Sequence, residues 1–115
     1  MAALAILIRS APYGTLEAAE GARHLAGHES LGFDSVVGLF CDDGVWALAK
    51  GQRPARDFTS LEETLDKLSQ GGVRLAAERT SLAERSLEPE DLVAGVEVVE
   101  SIEADVFDAN AVLVF

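Results

Sequence analysis

The sequence predicts a three-layer α/β/α domain, with helices on both sides of a mainly parallel five-stranded sheet. Short apolar runs alternate with helical patterns along the whole chain, which is typical of strands joined by helical crossovers. The first run is apolar at nearly every position, as in strands buried on both faces. The chain has 115 residues, of which 49% are hydrophobic. This is enough for one core, and we expect a single domain over residues 1–115.

The predicted strands are the apolar runs between turns and helical segments. They are Ala3–Arg9, Ser35–Phe40, Val73–Ala77, Val96–Val99 and Ala111–Phe115. A secretory leader requires a basic residue before its apolar run, and the first run has none. The run is also far shorter than the roughly 20 apolar residues of a membrane span. We therefore expect a cytoplasmic protein without a membrane segment, which also suits a lone unpaired thiol.

Two helices have clear start signals. Thr15 can cap a helix that runs to about Ser30, and we expect one buried face to contain Leu16, Ala19, Ala22 and Ala26. Ser60 and Glu63 have the spacing of a capping box and predict a second helix. Leu61, Leu65 and Leu68 lie on one face of this helix, which ends at Gly71.

The remaining segments predict shorter elements. Ser81 and Glu84 repeat the capping-box spacing and predict a short helix that ends near Leu87. We expect at most a short helix over Val45–Ala49, followed by a polar loop over Lys50–Phe58. We expect a single turn at Pro89–Leu92 and a brief helix over Ser101–Phe107.

The composition is strongly acidic. Nine Lys and Arg residues against twenty Asp and Glu residues give a net charge of −11. Such a surface repels phosphate, so we expect neither nucleic acid nor an anionic membrane as a partner. Between Glu84 and Asp108 there are nine acidic residues and one base, Arg85. That segment is either a solvated rim or a docking face for a basic partner.

Candidate site residues follow the first three strands, because ligands of open parallel sheets collect beyond the carboxyl ends of the strands. The loops are Ser10–Thr15, Cys41–Gly44 and Glu78–Ser81, and each leads toward a predicted helix that offers free N–H groups to an anion or a thiolate. The candidates in these loops are Tyr13, Gly14, Thr15, Cys41, Asp42, Asp43, Glu78 and Arg79.

Cys41 is the only cysteine and the only possible sulfur nucleophile. A helix start would lower its pKa, whereas Asp42 and Asp43 would favour the neutral thiol. Both a structural thiol and a reactive one are open interpretations. Glu78 is open in the same way: it is a general base if burial raises its pKa, or a surface ion-pair or cap residue beside Arg79.

The sequence predicts no metal and no cofactor. Asp42 and Asp43 could bind Mg²⁺, but such a site also needs acids after the first strand, where Arg9 stands. His24 and His28 have metal-ligand spacing without a third ligand. The Tyr13–Thr15 turn matches neither phosphate-binding glycine pattern. Trp46 is expected to be a core or interface anchor.

Four segments in order resemble one protein family. They are SAPYGT (Ser10–Thr15), LFCDDGVWALAKGQ (Leu39–Gln52), SLAERSLEPEDL (Ser81–Leu92) and the terminal strand AVLVF. Together they resemble the DsrE/DsrF-like family of small sulfur-relay proteins, and most of all its TusC/DsrF branch.

The resemblance implies a three-layer α/β/α fold and homo-oligomers or hetero-oligomers with related DsrE-like chains. It also implies a part in passing persulfide sulfur toward tRNA thiolation, or in sulfur oxidation. In the DsrE/TusD branch the sulfur is carried by a cysteine just after the third strand. Matching the segments places Glu78 at or next to that position, so the implied carrier cysteine is absent.

Three functional hypotheses follow. The first is an oligomeric sulfur-relay subunit without its own carrier, whose thiol is supplied by a related chain. The second is a sulfurtransferase that uses Cys41. The third is a homo-oligomer that binds a small anion or nucleotide at the strand ends, through backbone N–H groups and Arg79.

Overall fold

The computed structural model describes residues 3–115, and its sheet has five strands that all run parallel. The strands are β1 (Ala3–Ile8), β2 (Ser35–Phe40), β3 (Arg74–Glu78), β4 (Glu97–Val99) and β5 (Ala111–Val114). Their order across the sheet is β4-β3-β2-β1-β5. The predicted fold class is confirmed, and the predicted strand positions agree to within one residue at either end.

Four α-helices and three 3-10 helices connect the strands. The α-helices are α1 (Glu17–Ala26), α2 (Leu61–Gln70), α3 (Arg79–Glu84) and α4 (Glu103–Asp108). The 3-10 helices are His28–Leu31, Asp42–Leu48 and Pro89–Asp91. Among residues 3–115, no helix has the length and apolarity needed to cross a bilayer.

The first helix is shorter than predicted and buries a different face. It begins at Glu17, and its buried residues are Ala18, Gly21, Ala22 and Leu25, whereas Leu16 is 71% exposed. A Cβ atom at Gly21 would lie 2.7 Å from Cγ1 of Ile8. The small residues Ala18, Gly21 and Ala22 therefore allow α1 to approach β1 closely, because a larger side chain at Gly21 would overlap with Ile8.

The second helix confirms its start signal. The Ser60 hydroxyl accepts a hydrogen bond from the Glu63 N–H at 3.3 Å, Leu61 and Leu65 are buried, and the helix ends at Gly71. The N-cap bond and the buried leucine pair fix α2 against the main core.

The segment after β2 was predicted as a loop followed by at most a short helix, and this is wrong. Residues Asp42–Leu48 form one continuous 3-10 helix that begins at the end of the strand. Gly44 makes this possible, since a Cβ atom there would lie 2.0 Å from the carbonyl oxygen of Ile8. This helix packs directly beneath the end of β1 and buries Val45 and Leu48.

The sheet has one thickly covered face and one thinly covered face. The main core lies between the sheet and α1, α2 and the Asp42–Leu48 helix, and Phe40 is its largest fully buried side chain. On the other face Ala5, Leu39 and Ala76 are buried beneath residues of the α4 region. The carboxyl ends of β1, β2 and β3 lie between these two layers, where the candidate residues meet.

Candidate functional site at the carboxyl ends of the central strands

The centre of the site is the hydroxyl of Ser81, which is only 1% exposed. It accepts a hydrogen bond from the Asp42 N–H at 2.9 Å and donates one to Oε1 of Glu78 at 2.6 Å. One buried side chain therefore connects the residues that follow β2 with the end of β3, and it orients the Glu78 carboxylate.

Ser81 had been predicted as a helix cap, and this is wrong. The chain turns from β3 directly into α3 at Arg79, so Ser81 is inside the first turn. No loop intervenes, and the Ser81 hydroxyl bonds to the Glu78 carboxylate and the Asp42 N–H instead of an N–H at the start of its own helix. Glu78, Ser81 and Arg85 are spaced as neighbours along one side of α3, a pattern that would be visible in the sequence if the helix began at Arg79.

Two arginines that the sequence did not indicate complete the cluster. Arg9 donates from Nε to Oδ2 of Asp42 at 3.1 Å. Arg85 pairs with Oδ1 of Asp43 at 3.0 Å and also donates to the Ser81 carbonyl oxygen. Both cations near the cluster are thus already bonded to carboxylates, which leaves little positive charge to bind an anion.

Arg79 does not join this cluster. Its guanidinium pairs with Glu100, and both side chains are more than half exposed. The structure therefore brings together Cys41, Asp42, Asp43 and Glu78, and it separates Arg79 from them. Such an exposed pair stabilises the fold by about 0–1 kcal/mol.

Cys41 is buried at the bottom of the cluster, with 6% of its surface exposed. Burial raises the pKa of its thiol, and the nearby carboxylates of Asp42 and Glu78 raise it by more than Arg9 and Arg85 lower it, so that the pKa is about 11. Sγ lies 3.9 Å from Oδ2 of Asp42. At pH 7, a thiol with this pKa is ionised in about one molecule in ten thousand. The arrangement favours a neutral structural thiol over a nucleophile.

Tyr13 belongs to a different structural network. Its hydroxyl donates to Oε1 of Gln52 at 2.5 Å and accepts from the Leu61 N–H at 3.0 Å. Gln52 in turn donates from Nε2 to the carbonyl oxygens of Ala47 and Ala49 at 2.7 and 2.9 Å. This cluster, which we call the Gln52 hub, ties the turn after β1 and the Asp42–Leu48 helix to the start of α2. Tyr13 thus has a structural position.

Two other residues of that turn, Gly14 and Thr15, contribute no side-chain bond to the cluster. Thr15 accepts a long hydrogen bond of 3.4 Å from the Glu17 N–H, and Gly14 faces open space. Trp46 is 39% exposed, so it is not a core residue, and its role as an interface anchor stays a prediction.

The described residues, 3–115, assemble no metal-binding group, since no three of their His, Cys, Asp or Glu side chains are placed to hold an ion. Nδ1 of His24 lies 2.7 Å from the carbonyl oxygen of Glu20, and Nδ1 of His28 lies 2.9 Å from that of Leu25. Each histidine therefore directs one ring nitrogen to a backbone carbonyl three or four residues earlier in the chain.

The raised pKa of Cys41 predicts a loss of stability in alkali. The unfolded thiol ionises near its ordinary pKa of 9.0, and the folded thiol ionises at about 11. Between these values the unfolded state loses its proton first, so the free energy of unfolding falls as the pH rises. We expect the difference in this free energy between wild type and Cys41→Ser to change in the same window and to stay constant from pH 6 to 8. Chemical denaturation across pH 6 to 11 measures it, and a difference that stays flat throughout would contradict the raised pKa.

Comparison with known proteins places the chain in a family. The family model described as the DsrE/DsrF-like family matches residues 2–115, and the chain belongs to that family. The crystal structure of the ychN protein from E. coli is similar over 100% of both chains, with a TM-score of 0.85 and 24% identity. A protein of unknown function from Methanobacterium thermoautotrophicum is similar over 96% of this chain and 97% of that one, with a TM-score of 0.66 and 18% identity. The comparison with curated proteins found no match.

Proposed function

We propose that this chain is an oligomer-forming subunit of a cytoplasmic sulfur-relay assembly of the TusC/DsrF type, and that it carries no persulfide itself. Membership of the DsrE/DsrF-like family, which is associated with sulfur relay, supports the general role. The observation that carries the proposal is the burial of Cys41, the only thiol of the chain. A persulfide carrier must attack and be attacked at sulfur, and a neutral, desolvated thiol can do neither efficiently.

The end of β3 supports the same conclusion. The family resemblance places Glu78 at or next to the position where the DsrE/TusD branch has its carrier cysteine, and the Glu78 carboxylate is hydrogen-bonded to Ser81. A carboxylate cannot accept sulfane sulfur. The sulfur of the assembly would therefore be carried by a cysteine of a related chain, for which this subunit provides a folded partner surface.

Restoring a thiol at this strand end tests the proposal. We expect the variant that combines Cys41→Ser with Glu78→Cys to gain one sulfur atom when it is mixed with inorganic polysulfide. The new thiolate attacks a terminal sulfane sulfur, the sulfur–sulfur bond breaks, and the shortened polysulfide leaves with the electron pair. Because Cys41 is replaced by Ser in this variant, the new thiol is the only group of the chain that can take up sulfur. Intact-mass spectrometry should show uptake at least roughly tenfold faster than in wild type.

The single variant Cys41→Ser is the matched control, since it has the same fold without any thiol. Wild type should gain sulfur slowly and the control none. Rapid, stoichiometric gain of sulfur by Cys41 in the native wild-type protein would contradict the proposal and would make this chain the carrier.

A further inference from the structure

The outer edge of β5 is an open, apolar strand edge. β5 lies at one end of the sheet, and Val112, Leu113 and Val114 are 36%, 36% and 58% exposed. Phe107, on the helix just before the strand, is 83% exposed. These four are half of the eight large hydrophobic side chains that are exposed within residues 3–115. Such clustering in so short a segment indicates an interaction surface.

The backbone of this edge has free hydrogen-bonding groups in a fixed pattern. Phe115 donates its N–H to the Leu7 carbonyl at 2.8 Å, and its carbonyl accepts from the Arg9 N–H at 2.7 Å. Every second residue of a strand directs its backbone groups to the same side. The backbone groups of Ala111, Leu113 and Phe115 therefore bond to β1. Val112 and Val114 direct their N–H and C=O groups away from the sheet.

The opposite edge of the sheet is protected. β4 has only three residues, and its first residue, Glu97, accepts a hydrogen bond from Arg74 at 2.8 Å. Short strands and charged side chains are the usual means of preventing edge-to-edge pairing. β5 has the sequence AVLV, with neither a charged residue nor a proline. β5 is therefore the edge strand that is open to pairing with another strand.

We propose that β5 pairs antiparallel with β5 of a second copy, about a two-fold axis at Leu113, to form a continuous ten-stranded sheet. This deepens the proposed oligomeric function and rests on it. In that register the backbone N–H and C=O of Val112 face those of Val114 in the other copy. The same groups of Val114 face those of Val112 in the other copy. Each copy offers two donors and two acceptors, so all eight groups are satisfied in four hydrogen bonds.

The charges beside β5 contribute little to the pairing. Arg9 lies beside the carboxyl end of β5, but its guanidinium is already paired with Asp42. Asp108 ends the helix that leads into the strand, so the pairing depends on the backbone groups and the apolar side chains of β5. The acidic edge at β4 is four strands away, roughly 19 Å, which is well beyond the Debye length of about 8 Å at physiological salt. The carboxylates of that edge therefore oppose the pairing only weakly.

Residue-resolved hydrogen exchange of the wild-type protein tests the register directly. We expect the amides of Val112 and Val114 to exchange at least roughly tenfold more slowly in a concentrated sample than in a dilute one. The amide of Leu113, which faces β1 in both states, should be protected at both concentrations. An unpaired edge would instead leave Val112 and Val114 fast at every concentration.

Val112→Pro tests the assembly, because it removes an outward donor without removing a bond to β1. Light scattering should show that the assembly mass falls by half, whereas the control Val112→Thr, which keeps the N–H and the side-chain shape, should retain the wild-type mass. Val114→Lys introduces a charge at the same edge and should act like Val112→Pro if the proline variant does not fold.

A stable oligomer in which the amides of Val112 and Val114 exchange rapidly overturns the β5 pairing alone. A protein that is monomeric at all concentrations also overturns the β5 pairing, whereas the proposed relay role, in which the partner is a related chain, is overturned by sulfur uptake at Cys41.

Discussion

Gly44→Ala is expected to lower the free energy of unfolding by about 3 to 5 kcal/mol. The added Cβ would lie 2.0 Å from the carbonyl oxygen of Ile8 and 2.6 Å from its carbonyl carbon. Both atoms belong to the backbone at the end of β1, so a side-chain rotation cannot relieve the overlap. Either the Asp42–Leu48 helix or the end of the central strand must move, and Cys41 with its carboxylate neighbours lies between them.

Gly14→Ala is the matched control for this substitution. Gly14 lies in the turn after β1, and no atom lies within 4 Å of the position that its Cβ would take. Its effect should stay within about 0.5 kcal/mol, as for other surface substitutions. Urea denaturation of both variants gives the comparison. Equal stability of the two variants would show that the Asp42–Leu48 helix does not press against β1 in solution.

Gln52→Ala is expected to cost about 2 to 3 kcal/mol, because it removes the centre of the Gln52 hub. The side-chain amide donates to the carbonyls of Ala47 and Ala49, and its oxygen accepts from the Tyr13 hydroxyl and from the Glu62 N–H at 3.3 Å. Removing the amide leaves partners in a half-buried position without a bond, and each unsatisfied group there is costly.

Gln70→Ala is the control of the same residue type. The Gln70 amide donates only to Asp66, one turn earlier on an exposed helix face, so we expect a change within about 0.5 kcal/mol. Thermal unfolding monitored by circular dichroism compares the two. The fold of both variants should remain native, since the hub connects elements and does not form the core. If Gln52→Ala were as mild as Gln70→Ala, water would be replacing the hub at little cost.

The fold was predictable because it depends on local patterns that survive in the structure. Each strand is an apolar run of the right length, and the Ser60 cap with its leucine face gives α2. The start of α3 was not predictable in this way. Ser81 and Glu84 have the spacing of a cap. However, α3 begins directly at the end of β3, and the Ser81 hydroxyl is bonded to the Glu78 carboxylate.

The candidate site could be predicted only in part, for a related reason. That Cys41, Asp42, Asp43 and Glu78 lie together follows from parallel strands that end at one edge. That Ser81 connects them, and that Arg9 and Arg85 neutralise the aspartates, depends on side-chain directions over a sequence separation of about 30 to 40 residues. The position of Tyr13 was misleading. Its turn lies at the same edge of the sheet, but its side chain is hydrogen-bonded to Gln52, outside the cluster.

The position of β5 also determines the order in which the sheet can be completed. The Asn110 N–H donates to the Ala3 carbonyl at 2.8 Å, and the Asn110 side-chain oxygen accepts from the Ala3 N–H at 2.7 Å, across 107 positions of sequence. This reciprocal contact sets the register of β1 against β5 and closes the largest loop in the sheet, at the largest cost in chain entropy. While the chain is synthesised, β1 and β2 can pair early, but the other side of β1 has no partner until the final strand emerges. For that interval the nascent chain exposes the edge of its most apolar strand, and a chaperone that shields β1 would act in this time window.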